Sequence, residues 1–467
     1  MQRRTQGLKA IALAGALVAS LFTALPGAGA SGTGGLPTKF DLDLLSDNSS
    51  GRAIVKFTHD VRSSTIERLA AAGVTEAVRL DTIDAVGVLG PMSTYKTIAR
   101  WNDVTFVDAD SRLRMQNYAA KKDTKVDKVR KGVKPLDRKY TGKGVTVAVV
   151  DTGIQPHPDL EDRVVANLNF EPAWFMDMIN DGKYSDQLVE ATGNPVDSYG
   201  HGTHVAGIVA GTGAFAEGDV DMSGVAPKAH LVNVKIADVH EGLVCDVPCD
   251  FGWEINALVA YEYIIEHRKD KLFPGGIRIA TNSWSIFEVD SEVEPISLIV
   301  DAASKKGMVS VFAAGNDGPA KKTVAQGPNR LESVITVGAA CKSVDSCGKG
   351  KIAEFSSRGP QVDVAAPGDN IYSAMAQASA LWPIGSHSAP GSPANNLMYV
   401  GFSGTSMATP HVAGIVALML EADPNLTPAG VEGILTRTAD DLGDHGFDTS
   451  FGHGMVNAFD AVKRAER

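Results

Sequence analysis

The stretch Gly144-Val145-Thr146-Val147-Ala148-Val149-Val150 has no charged residue and almost no polar one. A β-strand turns successive side chains to opposite faces, so a strand without a polar alternate must be covered on both sides. It therefore belongs inside a sheet with helices above and below. The segments after it keep that rhythm. Residues 201–210 read as a small-residue helix, 229–235 as a strand and 253–267 as an amphipathic helix. Residues 277–282 and 309–313 read as strands with a helix over 296–306 between them, and 334–338 as one more strand. Such alternation implies an α/β domain whose largely parallel sheet is flanked by helices. In sheets of that kind the working residues gather at the carboxyl ends of the strands.

Four segments carry reactive side chains. Asp151 follows the buried run directly, where a carboxylate is costly without a partner. Alone it reads as an Asx-type turn. His201 opens the helix in Gly200-His201-Gly202-Thr203-His204. The pair His201-x-x-His204 admits a metal reading, yet it lacks the glutamate and spacing of a zinc-peptidase helix. Asn316, in Ala313-Ala314-Gly315-Asn316, brings a side-chain N–H to a strand end, where it can meet developing negative charge. Ser406 stands between a loop-like stretch at 395–402 and the segment 412–420, which is apolar on every face and reads as a buried helix. By itself Ser406 is a helix cap.

Taken together the segments are far more specific. Asp, then His, then Ser, with an Asn between the last two, is the order found in subtilisin and not in chymotrypsin or the α/β-hydrolases. The chain resembles the subtilase (subtilisin-like, S8-type) serine peptidase family through Val-Asp-Thr-Gly-Ile at 150–154, Gly-His-Gly-Thr-His-Val-Ala-Gly at 200–207 and Ala-Ala-Gly-Asn at 313–316. The longest shared word is Gly-Thr-Ser-Met-Ala-Thr-Pro-His-Val-Ala-Gly at 404–414. The likeness runs over about 143–460 with insertions. It implies that Ser406 attacks the scissile carbonyl, that His201 moves the proton, and that Asp151 orients the imidazole. It assigns the oxyanion hole to Asn316 with the Ser406 N–H. The substrate cleft is expected along Ser283, Trp284, Ser285 and Gly315, with Ser285 standing where the family pattern usually has Gly. Asp317 and Gln326 are expected near the pocket for the residue before the cut, making it polar enough to take more than aromatic side chains. Chemistry of this type requires no cofactor. The family often binds structural calcium, and Asp159 is either a ligand or a solvated turn residue.

The flanks complete the plan. Arg3, Arg4 and Lys9 precede an apolar run ending in Pro-Gly-Ala-Gly-Ala, so residues 1–30 read as a signal peptide and the mature protein as secreted. Residues 31–49 read as a linker. Residues 50–116 alternate strand and helix in a small α+β unit near the lower size limit for independent folding. This unit resembles a subtilase propeptide, an intramolecular inhibitor removed by self-cleavage near 114–118. Residues 117–142 are too charged to bury and read as a linker or surface wrap, and 143–467 form the subtilisin-like catalytic domain. The insertion at 167–197, with Phe170, Trp174, Phe175 and Met176, reads as a lid or a covered loop. Cys245, Cys249, Cys341 and Cys347 suit an oxidising compartment, and two local disulfides are the simplest of three pairings. A net charge of −11 argues against nucleic acid or an anionic membrane as partner. The expected partners are protein or peptide substrates met by a monomer. An inactive peptide-binding relative and a maturase for one partner are the competing readings.

Overall fold

The structure is a computed structural model. It describes residues 52–80, 85–109, 123–170, 196–216, 220–239, 250–251, 254–285, 295–324, 327–342, 347–348, 350–375, 379, 381 and 398–467. The chain divides into two compact units, Met1–Arg112 and Leu113–Arg467.

The first unit runs β1 (Arg52–Phe57), α1 (Ser63–Ala71), β2 (Glu76–Leu80), β3 (Ala85–Leu89), α2 (Met92–Ile98) and β4 (Val104–Ala109). Its strands form an antiparallel sheet in the order β2-β3-β1-β4. Alternation in β1 buries Ala53, Val55 and Phe57 against Leu69 of α1 and Tyr95 and Ile98 of α2. The sequence reading missed β2. Glu76-Ala77-Val78-Arg79-Leu80 has no clean apolar face, which is how an edge strand avoids pairing with another chain.

The second unit opens with α3 (Val126–Lys131) and continues through β5 (Thr146–Asp151), β6 (Val164–Asn169), α4 (His201–Ala210) and β7 (His230–Lys235). A two-residue pair, β8 (Asp238–Val239) with β9 (Asp250–Phe251), precedes α5 (Glu254–His267), β10 (Ile277–Asn282), α6 (Pro295–Lys305) and β11 (Val309–Ala313). The remainder is β12 (Ile335–Ala340), β13 (Val364–Pro367), β14 (Ile371–Ala374), β15 (Tyr399–Phe402), α7 (Thr405–Ala422), α8 (Pro428–Thr438) and α9 (Ala458–Ala465). Seven strands form one parallel sheet, ordered β13-β12-β11-β10-β5-β7-β6.

The apolar run at β5 is buried on both faces, as its composition requires. Val147 and Val149 pack in one core with α4 and α7, while Ala148 and Val150 pack in the other with α5 and α6. Helix α7 is buried all round from Met407 to Leu420, because sheet, α4 and α9 enclose it. The charged stretch before β5 is not a simple linker. Val126 and Val129 of α3, with Leu136 and Tyr140, join the main core, so the charges ride on an apolar spine. Residues 398–402, read as loop-like, hold a strand paired to β14. Strands β6 and β13 and helices α8 and α9 were not distinguished in the sequence, since each is short or partly solvated. Among the described residues no helix is long and apolar enough to cross a membrane.

Candidate active site

Parallel register brings the reactive segments level. Asn282 of β10 stands beside Val150 of β5 on one side and Phe312 of β11 on the other. The next residues along these strands are Asp151, Ser283 and Ala313, all at the carboxyl edge. Trp284 ties two of them together, its indole N–H donating to Val150 O at 3.0 Å while its ring meets Phe312 edge-on.

Asp151 is 3% exposed and His201 16%. His201 Nδ1 lies 2.7 Å from Asp151 Oδ1, which also accepts the Thr152 N–H at 2.8 Å. With the carboxylate ionised, Nδ1 carries the donated proton and Nε2 is left as the acceptor. Gly202 permits this approach. A Cβ there would lie 2.2 Å from Gly153 O and 3.1 Å from Asp151 Cβ.

Ser406 is the second residue of α7, and its hydroxyl donates to Ser283 O at 3.1 Å. The Ser283 hydroxyl returns a bond to Ser406 O at 2.9 Å. That carbonyl needs the help, because its helical donor four residues on would be Pro410, which has no N–H. Asn316 Oδ1 accepts from Thr405 N–H at 2.9 Å and from the Thr405 hydroxyl at 3.1 Å. This fixes the amide and turns Nδ2 away from Thr405. A Cβ placed on Gly404 would sit 3.6 Å from Ser406 N and 3.7 Å from Asn316 Nδ2, so two donors border one small space. Gly315 lies beside them, its N–H donating to Thr405 Oγ1 at 3.2 Å. Donors so arranged suit an oxygen that gains negative charge.

The other expected residues divide. Ser285 follows Trp284 and is partly exposed. Asp317 is exposed, with its N–H held by the Ser357 hydroxyl at 3.1 Å. Gln326, Trp174, Phe175, Met176, Cys245, Cys249 and the stretch 114–118 lie outside the described residues. Cys341 and Cys347 are joined as a disulfide, with Cα atoms 6.1 Å apart. With Asp369 they have the reach of a metal site, yet a disulfide offers no thiolate to a cation. His204 contacts Val400 O at 2.9 Å, and burial lowers its pKa to about 3, so it stays neutral. Asp159 is not a solvated turn residue. It is 1% exposed, with Oδ1 accepting from the Thr212 hydroxyl and Ala214 N–H and Oδ2 from the Tyr399 hydroxyl. Three donors already face its oxygens, so this carboxylate holds Thr212, Ala214 and Tyr399 together. Sequence reasoning passed over Thr405, Thr152 and Asp197, whose partners only the fold reveals.

A profile of the Subtilase family, peptidase S8, matches residues 142–454. The chain belongs to the subtilase family. Among relatives of this subtilase, the serine protease AprX of Bacillus subtilis (strain 168) is 39% identical over 332 residues, covering 69% of this chain and 67% of the relative. Subtilisin E of the same organism is 33% identical over 324 residues, covering 68% and 65%. The subtilase thus spans about two thirds of the length of the curated relatives it matches. Among solved structures, fervidolysin from Fervidobacterium pennivorans aligns with a TM-score of 0.51 at 23% identity, over 92% of this chain and 63% of its own. MycP1 without its N-terminal propeptide aligns at 0.50 and 23%, over 74% and 96%. The last two likenesses speak to the subtilisin-like fold.

Proposed function

We propose that this subtilase is a secreted serine endopeptidase that cleaves peptide bonds through an acyl-enzyme formed on Ser406. Family membership already makes it a subtilisin-like serine peptidase. The observation that carries the finer reading is the 2.7 Å contact between His201 and Asp151, level with the Ser283–Ser406 pair on the same sheet edge.

In the reaction the Ser406 hydroxyl leaves Ser283 O, gives its proton to His201 Nε2, and its oxygen bonds to the scissile carbonyl carbon. Asp151 steadies the imidazolium. The carbonyl oxygen, now negative, takes hydrogen bonds from Asn316 Nδ2 and Ser406 N–H, a contribution of about 3 kcal/mol to the transition state. The tetrahedral species expels the amine, which leaves with the proton from His201. Water then repeats the sequence on the ester and frees Ser406. Groups of this chain and one water supply every step, and no step passes through calcium. The β-α-β-β-α-β unit ending at Arg112 has its own core, which supports its reading as an inhibitory propeptide.

A fluorophosphonate probe is expected to label the wild-type chain and not Ser406→Ala. N-terminal sequencing of purified wild type is expected to begin near 114–118, with Ser406→Ala keeping the first unit attached. Equal labelling of both chains would remove Ser406 as nucleophile.

A further inference from the structure

Beside the triad sits a carboxylate that the reaction scheme does not use. Asp197 is fully buried, four residues before His201. Its Oδ1 accepts from Gly200 N–H at 2.6 Å and from the Thr152 hydroxyl at 2.9 Å. Its Oδ2 accepts from Thr203 N–H at 2.8 Å and from the Thr203 hydroxyl at 2.6 Å. Burial raises its pKa, while the donors oppose that shift by favouring the charged form. The Thr203 oxygen in turn accepts the Gln155 N–H at 2.9 Å, binding in the loop after Asp151.

The start of α4 explains the need. Gly200 stands at the cap position and has no side chain, yet the first amides of a helix require acceptors. Asp197 takes those of Gly200 and Thr203, and Thr152 Oγ1 takes that of Gly202 at 2.9 Å. The residues on either side of His201 are therefore held by one carboxylate–hydroxyl pair. Thr152 is also the neighbour of Asp151 in sequence. Its single O–H lies 2.9 Å from Asp197 Oδ1 and 3.4 Å from Asp151 Oδ1, and it cannot serve both. The shorter contact wins, which leaves Asp151 Oδ1 to the imidazole and one backbone N–H. The titratable side chains carried by the elements meeting here include Asp151 of β5, His230 and Lys235 of β7, His201 and His204 of α4, Tyr372 of β14 and His411 of α7. Buried Lys235 donates to Val196 O at 2.8 Å and so fixes the residue before Asp197.

From this geometry we infer that Asp197 is a positioning residue for the reaction. It sets the start of α4, and hence the direction of the His201 ring, and it draws the Thr152 hydroxyl away from Asp151. A helix cap alone would not bridge to the strand that carries Asp151. The inference rests on the triad reading, which the fluorophosphonate comparison of wild type with Ser406→Ala checks separately.

The test uses the full chain with Asp197→Asn, Thr152→Ala and Thr152→Ser, measuring peptide hydrolysis against pH and melting temperature. Asn matches Asp in shape but sets an NH2 against donors. The expected result for Asp197→Asn is a fall in kcat on the order of 10²-fold from misplacement of the imidazole. KM should stay within about twofold, since no group touching substrate has changed. The acid limb of kcat/KM should move to lower pH, because a misplaced imidazolium is held less closely by Asp151. Thr152→Ala should lose activity that Thr152→Ser, keeping the hydroxyl, restores. A chain with wild-type kcat and acid limb and only a lower melting temperature would reduce Asp197 to a structural cap and overturn the inference. If Asp197→Asn does not fold, the Thr152 pair decides. Alanine and serine variants with equal kcat overturn the inference, and serine rescue supports it.

Discussion

At the residue scale, small polar groups hold Ser406 where a regular helix would not. Pro410 removes the donor for Ser406 O, and the Ser283 hydroxyl replaces it. Ser283→Ala should leave that half-buried carbonyl without its side-chain donor, at a cost of about 1 kcal/mol. We expect a lower melting temperature and slower fluorophosphonate labelling; unchanged labelling would mean the carbonyl bond does not position the nucleophile. Asp363 is a second case. Burial, reinforced by Glu432, pushes its carboxyl up to about 7 against the opposing N–H of Thr336. A carboxyl raised in the folded state holds its proton more firmly there than when unfolded. Its contribution to stability is complete below about pH 4 and is lost as pH rises through about 7. Asp363→Asn keeps an acceptor for Thr336 and removes the titration. It should melt higher than wild type at pH 8 and show no such gain at pH 4, as measured by calorimetry at both values.

At the scale of elements, the decisive contact is between the start of α4 and the end of β5. Gly202→Ala would drive a methyl group into Gly153 O, which is backbone and cannot turn aside. Helix α4 must then retreat from β5, carrying His201 from Asp151. A loss of kcat on the order of 10²-fold is expected, measured with the same peptide substrate. The elements around this contact were largely legible. Unbroken apolar runs such as Val147–Val150 allow only a doubly covered strand, and β10 and β11 fall on the stretches that their β-branched residues indicated. What stayed hidden was β2, β6 and β13, together with α3, α8 and α9. Strands β2 and β6 and the half-solvated helices mix polar with apolar residues, so their pattern separates weakly from loop, while the buried β13 is only four residues long and ends in a proline. For α3 the charges of Lys128, Arg130 and Lys131 masked the buried Val126 and Val129.

At the scale of the whole molecule, long-range ties join segments that sequence places far apart. Buried Asp159 binds Thr212, Ala214 and Tyr399 in one cluster. Tyr399→Phe removes a donor to a buried carboxylate, which should cost about 2 kcal/mol. Thermal unfolding at neutral pH should show a fall of that size, and an unchanged midpoint would deny the tie any role in stability. By itself the sequence determined the parallel sheet with its helices on both faces and the family, and it singled out Asp151, His201, Asn316 and Ser406 as the candidates for the site. Those follow from burial, which shows in composition, and from motif words that are local in the chain. Only the tertiary structure decided that Asp159 meets a tyrosine, that Thr405 turns the Asn316 amide, and that Asp197 reaches Thr152. Each depends on which donor stands opposite a given acceptor, and strand register and helix packing settle that between residues distant in sequence.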